Sequence, residues 1–154
     1  MRLSTIGFSC KSAESFFTIL AEAGVQKLID IRRSNNTLYS GFTRARDLPF
    51  LLEKICGVAF VYEPDFAPSL TLLRWYQAGL KKDKRDPRLW PEYVRRFTAE
   101  IAKRPIIKRF QAHSVGLEHV CFLCTEPTAD RCHRRLLAEH IAERAKRPIE
   151  IVHL

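Results

Sequence analysis

Short apolar runs of strand length alternate with helical spacing from one end of this chain to the other. No other feature restricts the fold as much. Leu3 to Ile6, Lys27 to Ile31, Val58 to Tyr62, His119 to Cys124 and Ile149 to His153 read as strands. They are mostly apolar along their length rather than alternating, which suits strands buried on both faces. Strands separated by helices call for a mostly parallel sheet with helices on both faces. The expectation is one α/β domain over 1–154, a Rossmann-like three-layer sandwich with a sheet of about five strands.

The segments between the strands carry their own punctuation. Ser12 with Glu14 starts a helix whose apolar face is Phe16, Phe17, Leu20 and Ala23, and Gly24 stops it. Leu48, Leu51, Leu52 and Ile55 form the next stripe, starting near Asp47 and Pro49 and closed by Gly57. Pro64 and Pro68 forbid regular structure until Ser69, where a helix runs to Leu80. Pro91 suits a first helical position, with Val94, Phe97 and Ile101 continuing until Pro105, after which another turn or two carries Ile106, Ile107 and Phe110. Arg131 to Arg144 is helical, with Leu136, Leu137, His140 and Ile141 on one face. Ser34 to Gly41 and Lys81 to Arg88 read as loops.

No run approaches the roughly 18 apolar residues that span a bilayer, and the first residues lack the pattern of a signal peptide. Five cysteines, an odd number, favour reduced thiols over a disulfide framework. The expected setting is the cytoplasm, with no membrane partner. With 26 basic against 17 acidic residues the net charge is +9, which favours phosphate-bearing small molecules or nucleic acid as partners. Pairs such as Arg95-Arg96, Lys103-Arg104 and Lys108-Arg109 are interleaved with acids, as on a solvated helical face.

In open parallel sheets ligands gather at the carboxyl ends of the strands. Those ends carry Gly7-Phe8-Ser9, Asp30 with Arg32 and Arg33, Glu63, and the turn from Thr125 to Arg134. The last of these is the densest, with Cys124, Thr125 and Glu126 after a strand and Cys132, His133 and Arg134 opening a helix. At a helix start, beside Arg131 and Arg134, the Cys132 thiol is expected to be acidified. Glu126 and Asp30 are candidates to move protons or to orient an arginine. His133 is a proton carrier or a cap on a carbonyl. His113, His119, His140 and His153 are read as structural or exposed. Tyr39, Trp75 and Trp90 are read either as stacking platforms for a base or as core.

A zinc site built on the Cys121–Cys124 C-x-x-C is disfavoured, because strand residues three apart point to opposite faces. Cys121 is read as a small buried residue. A phosphatase or sulfurtransferase loop would place an arginine six positions after Cys124, where Asp130 stands, with Arg131 one place too far. No metal and no cofactor are expected.

The blocks Thr5-Ile6-Gly7-Phe8-Ser9, Leu28-Ile29-Asp30-Ile31-Arg32-Arg33, Cys124-Thr125-Glu126 and Cys132-His133-Arg134-Arg135 resemble the "domain of unknown function 488" family. Phe42 falls where that family usually has an aromatic. Phe8 departs from it, standing where the family commonly carries His after the glycine. The resemblance implies a compact α/β domain with polar motifs clustered at one end of the sheet, and it brings no established activity.

The leading expectation is an enzyme or enzyme-like domain binding a phosphate-bearing ligand, a nucleotide or nucleic-acid component, at the carboxyl ends of the strands. Ser9, Arg32, Arg33, Cys124, Thr125, Arg131 and Arg134 would bind it. Glu126 and Asp30 would handle protons, with Cys132 or His133 nearest the reacting atom. The alternatives are a non-catalytic nucleic-acid-binding module and a thiol redox or metal sensor using Cys124 and Cys132.

Overall fold

The computed structural model describes residues 1–36 and 40–154. Tyr39, a stacking candidate, lies outside the described residues. In chain order the elements are β1 (Arg2–Gly7), α1 (Ala13–Glu22), β2 (Lys27–Asp30), α2 (Leu48–Cys56), β3 (Ala59–Tyr62), α3 (Leu70–Lys82), α4 (Leu89–Ala102), α5 (Ile106–Ser114), β4 (His119–Cys124), α6 (His133–Arg144) and β5 (Glu150–His153). All strand pairs are parallel, in the order β3-β2-β4-β1-β5. Every residue of β4, the central strand, is buried, as the apolar run His119–Cys124 requires.

Alternation along the strands divides the core in two. Leu28, Cys121 and Leu123 pack with Phe16, Phe17, Leu20, Leu48 and Leu52 of α1 and α2. Leu3, Ile29, Ile31, Val120 and Phe122 pack on the other face, with residues of α4, α5 and α6. The result is an α/β three-layer arrangement. Each fully buried Phe or Leu contributes on the order of 1.5–3 kcal/mol, so both helix layers are held mainly by apolar burial. Strands β1 and β4 are neighbours that send the chain in opposite directions, to β2 and to β5. The switch in strand order therefore lies between β1 and β4, and an open cleft lies beside it, at the ends of β2 and β4.

Local signals account for several helix ends. Ser12 and Ser69 accept hydrogen bonds from the amides of Ser15 and Leu72. Gly57 ends α2 at φ 66°, a left-handed conformation that glycine adopts freely. Three details differ from expectation. Ile55 is 56% exposed, because α2 lies against the edge strand β3 and its stripe has little sheet left to cover. Pro91 is the third residue of α4 rather than the first, where its missing amide is still harmless. Residues 106–114 form a full helix rather than a turn or two. Among the described residues no helix is long and apolar enough to cross a membrane.

Polar groups inside the sheet are paired. Ser4 Oγ lies 2.6 Å from His119 Nε2, and Thr5 Oγ1 lies 2.8 Å from His153 Nδ1. Burial pushes the pKa values of His119, His140 and His153 down, with Arg2, Arg144 and Arg134 respectively adding to the effect. A histidine held neutral in the fold takes up a proton in the unfolded chain near its ordinary pKa of about 6.5, so the stability it contributes is lost as pH falls. The melting temperature is expected to drop between about pH 7 and pH 5.5, with a shallower slope in His119→Gln. A flat profile over that range would contradict this reading.

Candidate functional site

Register brings the polar strand ends level. Gly7 lies opposite Cys124, and Asp30 opposite Leu123. Beyond the strands, the Phe8 amide donates to the Cys124 carbonyl at 3.2 Å and the Ser9 amide to the Thr125 carbonyl at 3.1 Å. The chain then folds back over β1. The Glu126 carbonyl lies where any Cβ on residue 7 would be, so only glycine permits this crossing. Arg134, 1% exposed, donates to the carbonyl oxygens of Glu126 and Pro127 and holds the turn from below. Its Nε has no partner, and among the described residues no carboxylate pairs with it.

Held in this way, the turn delivers Cys132 as the N-cap residue of α6 and His133 as its first helical residue, both beside Cys124. Cys124 Sγ lies 3.6 Å from His133 Nδ1. His133 Nε2 is 3.2 Å from the Ile31 carbonyl, which can only accept, so this nitrogen carries the hydrogen. Cys124 is the more acidic thiol. A hydrogen bond from Cys132 lowers its pKa against the opposing effect of burial, and the amides of Thr125 and Glu126 and the charge of Arg134 lower it further. Donation to Cys124 and burial push the Cys132 thiol up instead. The acidity expected of Cys132 therefore belongs to its neighbour, because Cys132 donates to Cys124, with the strand-end amides adding to the effect.

This cluster forms the floor of an open cleft of about 320 Å³. Thr125, Glu126 and Arg131 rise from the turn, Arg32 and Arg33 come from the end of β2, and Tyr76, Gln77 and Tyr93 come from α3 and α4. Thr125, Glu126 and Arg131 are exposed, and among the described residues Arg131 forms no ion pair. Burial raises the Tyr93 pKa, keeping its phenol protonated. Trp90, Tyr93, Phe97 and His133 form a row, with successive ring centres 5.2, 6.1 and 5.8 Å apart. Trp75 is covered by the Arg96 guanidinium at 4.1 Å. Tyr76 and Tyr93 were missed in the sequence, although Tyr93 sits one helical repeat before Phe97.

The side chains of the remaining expected residues have other partners, including those of Arg32 and Arg33, which also line the cleft. Asp30 and Arg32 are 0% and 3% exposed and form a bidentate ion pair at 2.6 and 2.8 Å on the α1–α2 side of the sheet. Arg32 also donates to the Thr43 carbonyl and lies over the Phe8 ring. Asp30 is thereby turned away from the cleft. Arg33 reaches the cleft wall but gives its hydrogens to the carbonyls of Ala67 and Pro68. Ser9 lines a separate surface depression with Lys11 and Phe42. Glu63 points at α5, where it meets Arg109 at 3.2 Å and His113 at 2.8 Å. Cys121, on the opposite face of β4 from Cys124, is buried among Leu28 and Leu123, and burial raises its pKa.

The model of the family described as "Domain of unknown function DUF488" matches residues 12–141. The chain belongs to that family. No curated protein and no solved structure matches it.

Two substitutions test this geometry. Asp30→Asn leaves the Arg32 charge buried without its partner and is expected to destabilise the fold by about 3–5 kcal/mol in denaturant titration. A neutral result would show that the pair is not a brace. Gly7→Ala forces the Glu126 carbonyl aside and is expected to cost about 1–3 kcal/mol. Its chemical-shift changes should concentrate in residues 124–134; changes spread evenly over the molecule would argue against the crossing.

Proposed function

We propose that this protein is an enzyme-like domain that takes a phosphate-bearing ligand, a nucleotide or nucleic-acid component, into the cleft at the carboxyl ends of β2 and β4. The observation that carries the proposal is an open cleft with a thiol–imidazole cluster on its floor and a free arginine at its mouth. Its volume falls in the range of about 300–1,000 Å³ usual for small-molecule sites. The positive charge in and behind the cleft is only partly compensated. Arg131 is exposed at the rim, and Arg134 is buried behind the turn with carbonyl partners alone. An anion entering from the open side would complement both.

In this reading Arg131 holds the phosphate, and Thr125 and the hydroxyl of Tyr76 offer further hydrogen bonds. Glu126 is the exposed acid at the rim and the better placed proton carrier, since Asp30 is committed to Arg32. Cys124, Cys132 and His133 stand nearest the reacting atom. The competing reading, a non-catalytic nucleic-acid-binding module, rests on the net charge of +9. It draws less support from the helices, where Arg95 and Arg96 both pair with Glu92.

Adenosine monophosphate, inorganic phosphate and a short single-stranded oligonucleotide serve as probes in calorimetry. Saturable binding of the mononucleotide is expected, weakened about tenfold or more by Arg131→Gln at unchanged melting temperature, as for loss of a charge-assisted hydrogen bond of about 1.5–3 kcal/mol. Absence of binding by both small probes would overturn the proposal. So would oligonucleotide binding that depends on Arg95 and Arg96 as much as on Arg131.

A further inference from the structure

We propose that Cys124, Cys132 and His133 form a three-ligand site for a soft divalent metal ion of the zinc type, with a fourth coordination position open to the cleft. The potential ligand atoms of the three residues all lie within 4.8 Å of one another. In a tetrahedral site with metal–sulfur and metal–nitrogen bonds of about 2.3 and 2.0 Å, sulfur and nitrogen are separated by about 3.5 Å and two sulfurs by about 3.8 Å. The separation of Cys124 Sγ from His133 Nδ1 is 3.6 Å. Two sulfurs and an imidazole suit zinc and its soft neighbours and do not suit magnesium or calcium.

The imidazole keeps one nitrogen available as a ligand. Its Nε2–H is tied to the Ile31 carbonyl at 3.2 Å, which fixes the tautomer and leaves Nδ1 without a hydrogen, and Cys124 Sγ lies 3.6 Å from Nδ1 and 3.8 Å from Nε2. A metal-bound histidine commonly anchors its second nitrogen in this way. Phe97 packs edge-on against the same ring at 5.8 Å and limits its rotation. The ligands also come from well-held elements: the end of the central strand and the first positions of α6.

Three protein ligands with a free position is the pattern of sites that accept water or a substrate atom, whereas closed structural sites use four. Here the fourth side faces the cleft, whose lining includes Thr125 and Arg131. On binding, the metal replaces the thiol hydrogens of Cys124 and Cys132, and the protons pass to solvent. The C-x-x-C motif takes no part as a pair, since Cys121 faces the α1–α2 core. The site deepens the proposed function by giving its reacting centre a Lewis acid, and the two are tested separately because metal binding is measured without any phosphate ligand.

The test is a titration of the full chain, freed of metal with a chelator under reducing conditions, with Co²⁺ and then Zn²⁺. The expected result is one equivalent of Co²⁺ giving thiolate-to-cobalt charge-transfer absorption, released by one equivalent of Zn²⁺. Cys124→Ser and Cys132→Ser should remove that absorption, while Cys10→Ser and Cys56→Ser, outside the cluster, should keep it. Because the first two variants alter buried residues, a measurement on the unaltered protein stands beside them: Zn²⁺ should shield two of the five thiols from a thiol reagent. Absence of the cobalt absorption, its persistence in Cys124→Ser, or unchanged thiol reactivity with Zn²⁺ would each overturn the site. Loss of mononucleotide binding with the cobalt signal intact would instead count against the phosphate reading alone.

Discussion

One buried cation organises the carboxyl end of this sheet. The Arg134 guanidinium sits beneath the turn that leaves β4 and donates to the carbonyls of Glu126 and Pro127. A charge taken out of water demands hydrogen-bond partners, and backbone oxygens aimed at it are worth more there than at the surface. The Glu126 carbonyl can reach its place only because residue 7 has no side chain. Strand β1, the turn and α6 are thus joined at one point. Cys132 and His133 return to Cys124 because of that junction, and the cleft exists because the turn stands above it.

The end of β2 serves both faces of the sheet. Asp30 and Arg32 point to the α1–α2 side and close on each other, a buried pair whose satisfied geometry fixes the start of the following loop. Ile31, between them, packs on the opposite side and lends its carbonyl to His133. A structural ion pair and a chemically useful imidazole are therefore set by three consecutive residues. Much of the positive charge elsewhere is absorbed locally, as with Arg95 and Arg96 on Glu92 and Arg104 on Glu100. What sets the cleft apart is that its Arg131, unpaired among the described residues, shares a lining with the thiol–imidazole cluster.

The strands and most helices were legible because their signals are local. Apolar runs, Ser caps and a left-handed Gly57 act within a few residues, and parallel strands with helices between them leave few arrangements. The divergence of Cys121 and Cys124 was legible too, since it follows from strand geometry alone. What escaped depends on contacts distant in sequence. Nothing near Arg134 says that it will be buried under its own turn, because that requires Gly7 from the other end of the chain. The residues around Asp30 allow either a proton carrier or a group that orients an arginine, and only the fold shows it closed on Arg32, two residues on. Helix position points to Cys132 for thiol acidity, whereas in the fold Cys132 donates to Cys124 and the amides after the strand support the same thiol. Tyr76 and Tyr93 give no local sign of the cleft: they pack against each other, and only the fold shows that they also wall it.

The aromatic row that ends on His133 has an optical consequence. Trp90 is stacked on Tyr93, which in turn stacks on Phe97 against the imidazole. The row therefore places an intrinsic fluorophore three rings away from the imidazole at the base of the cleft.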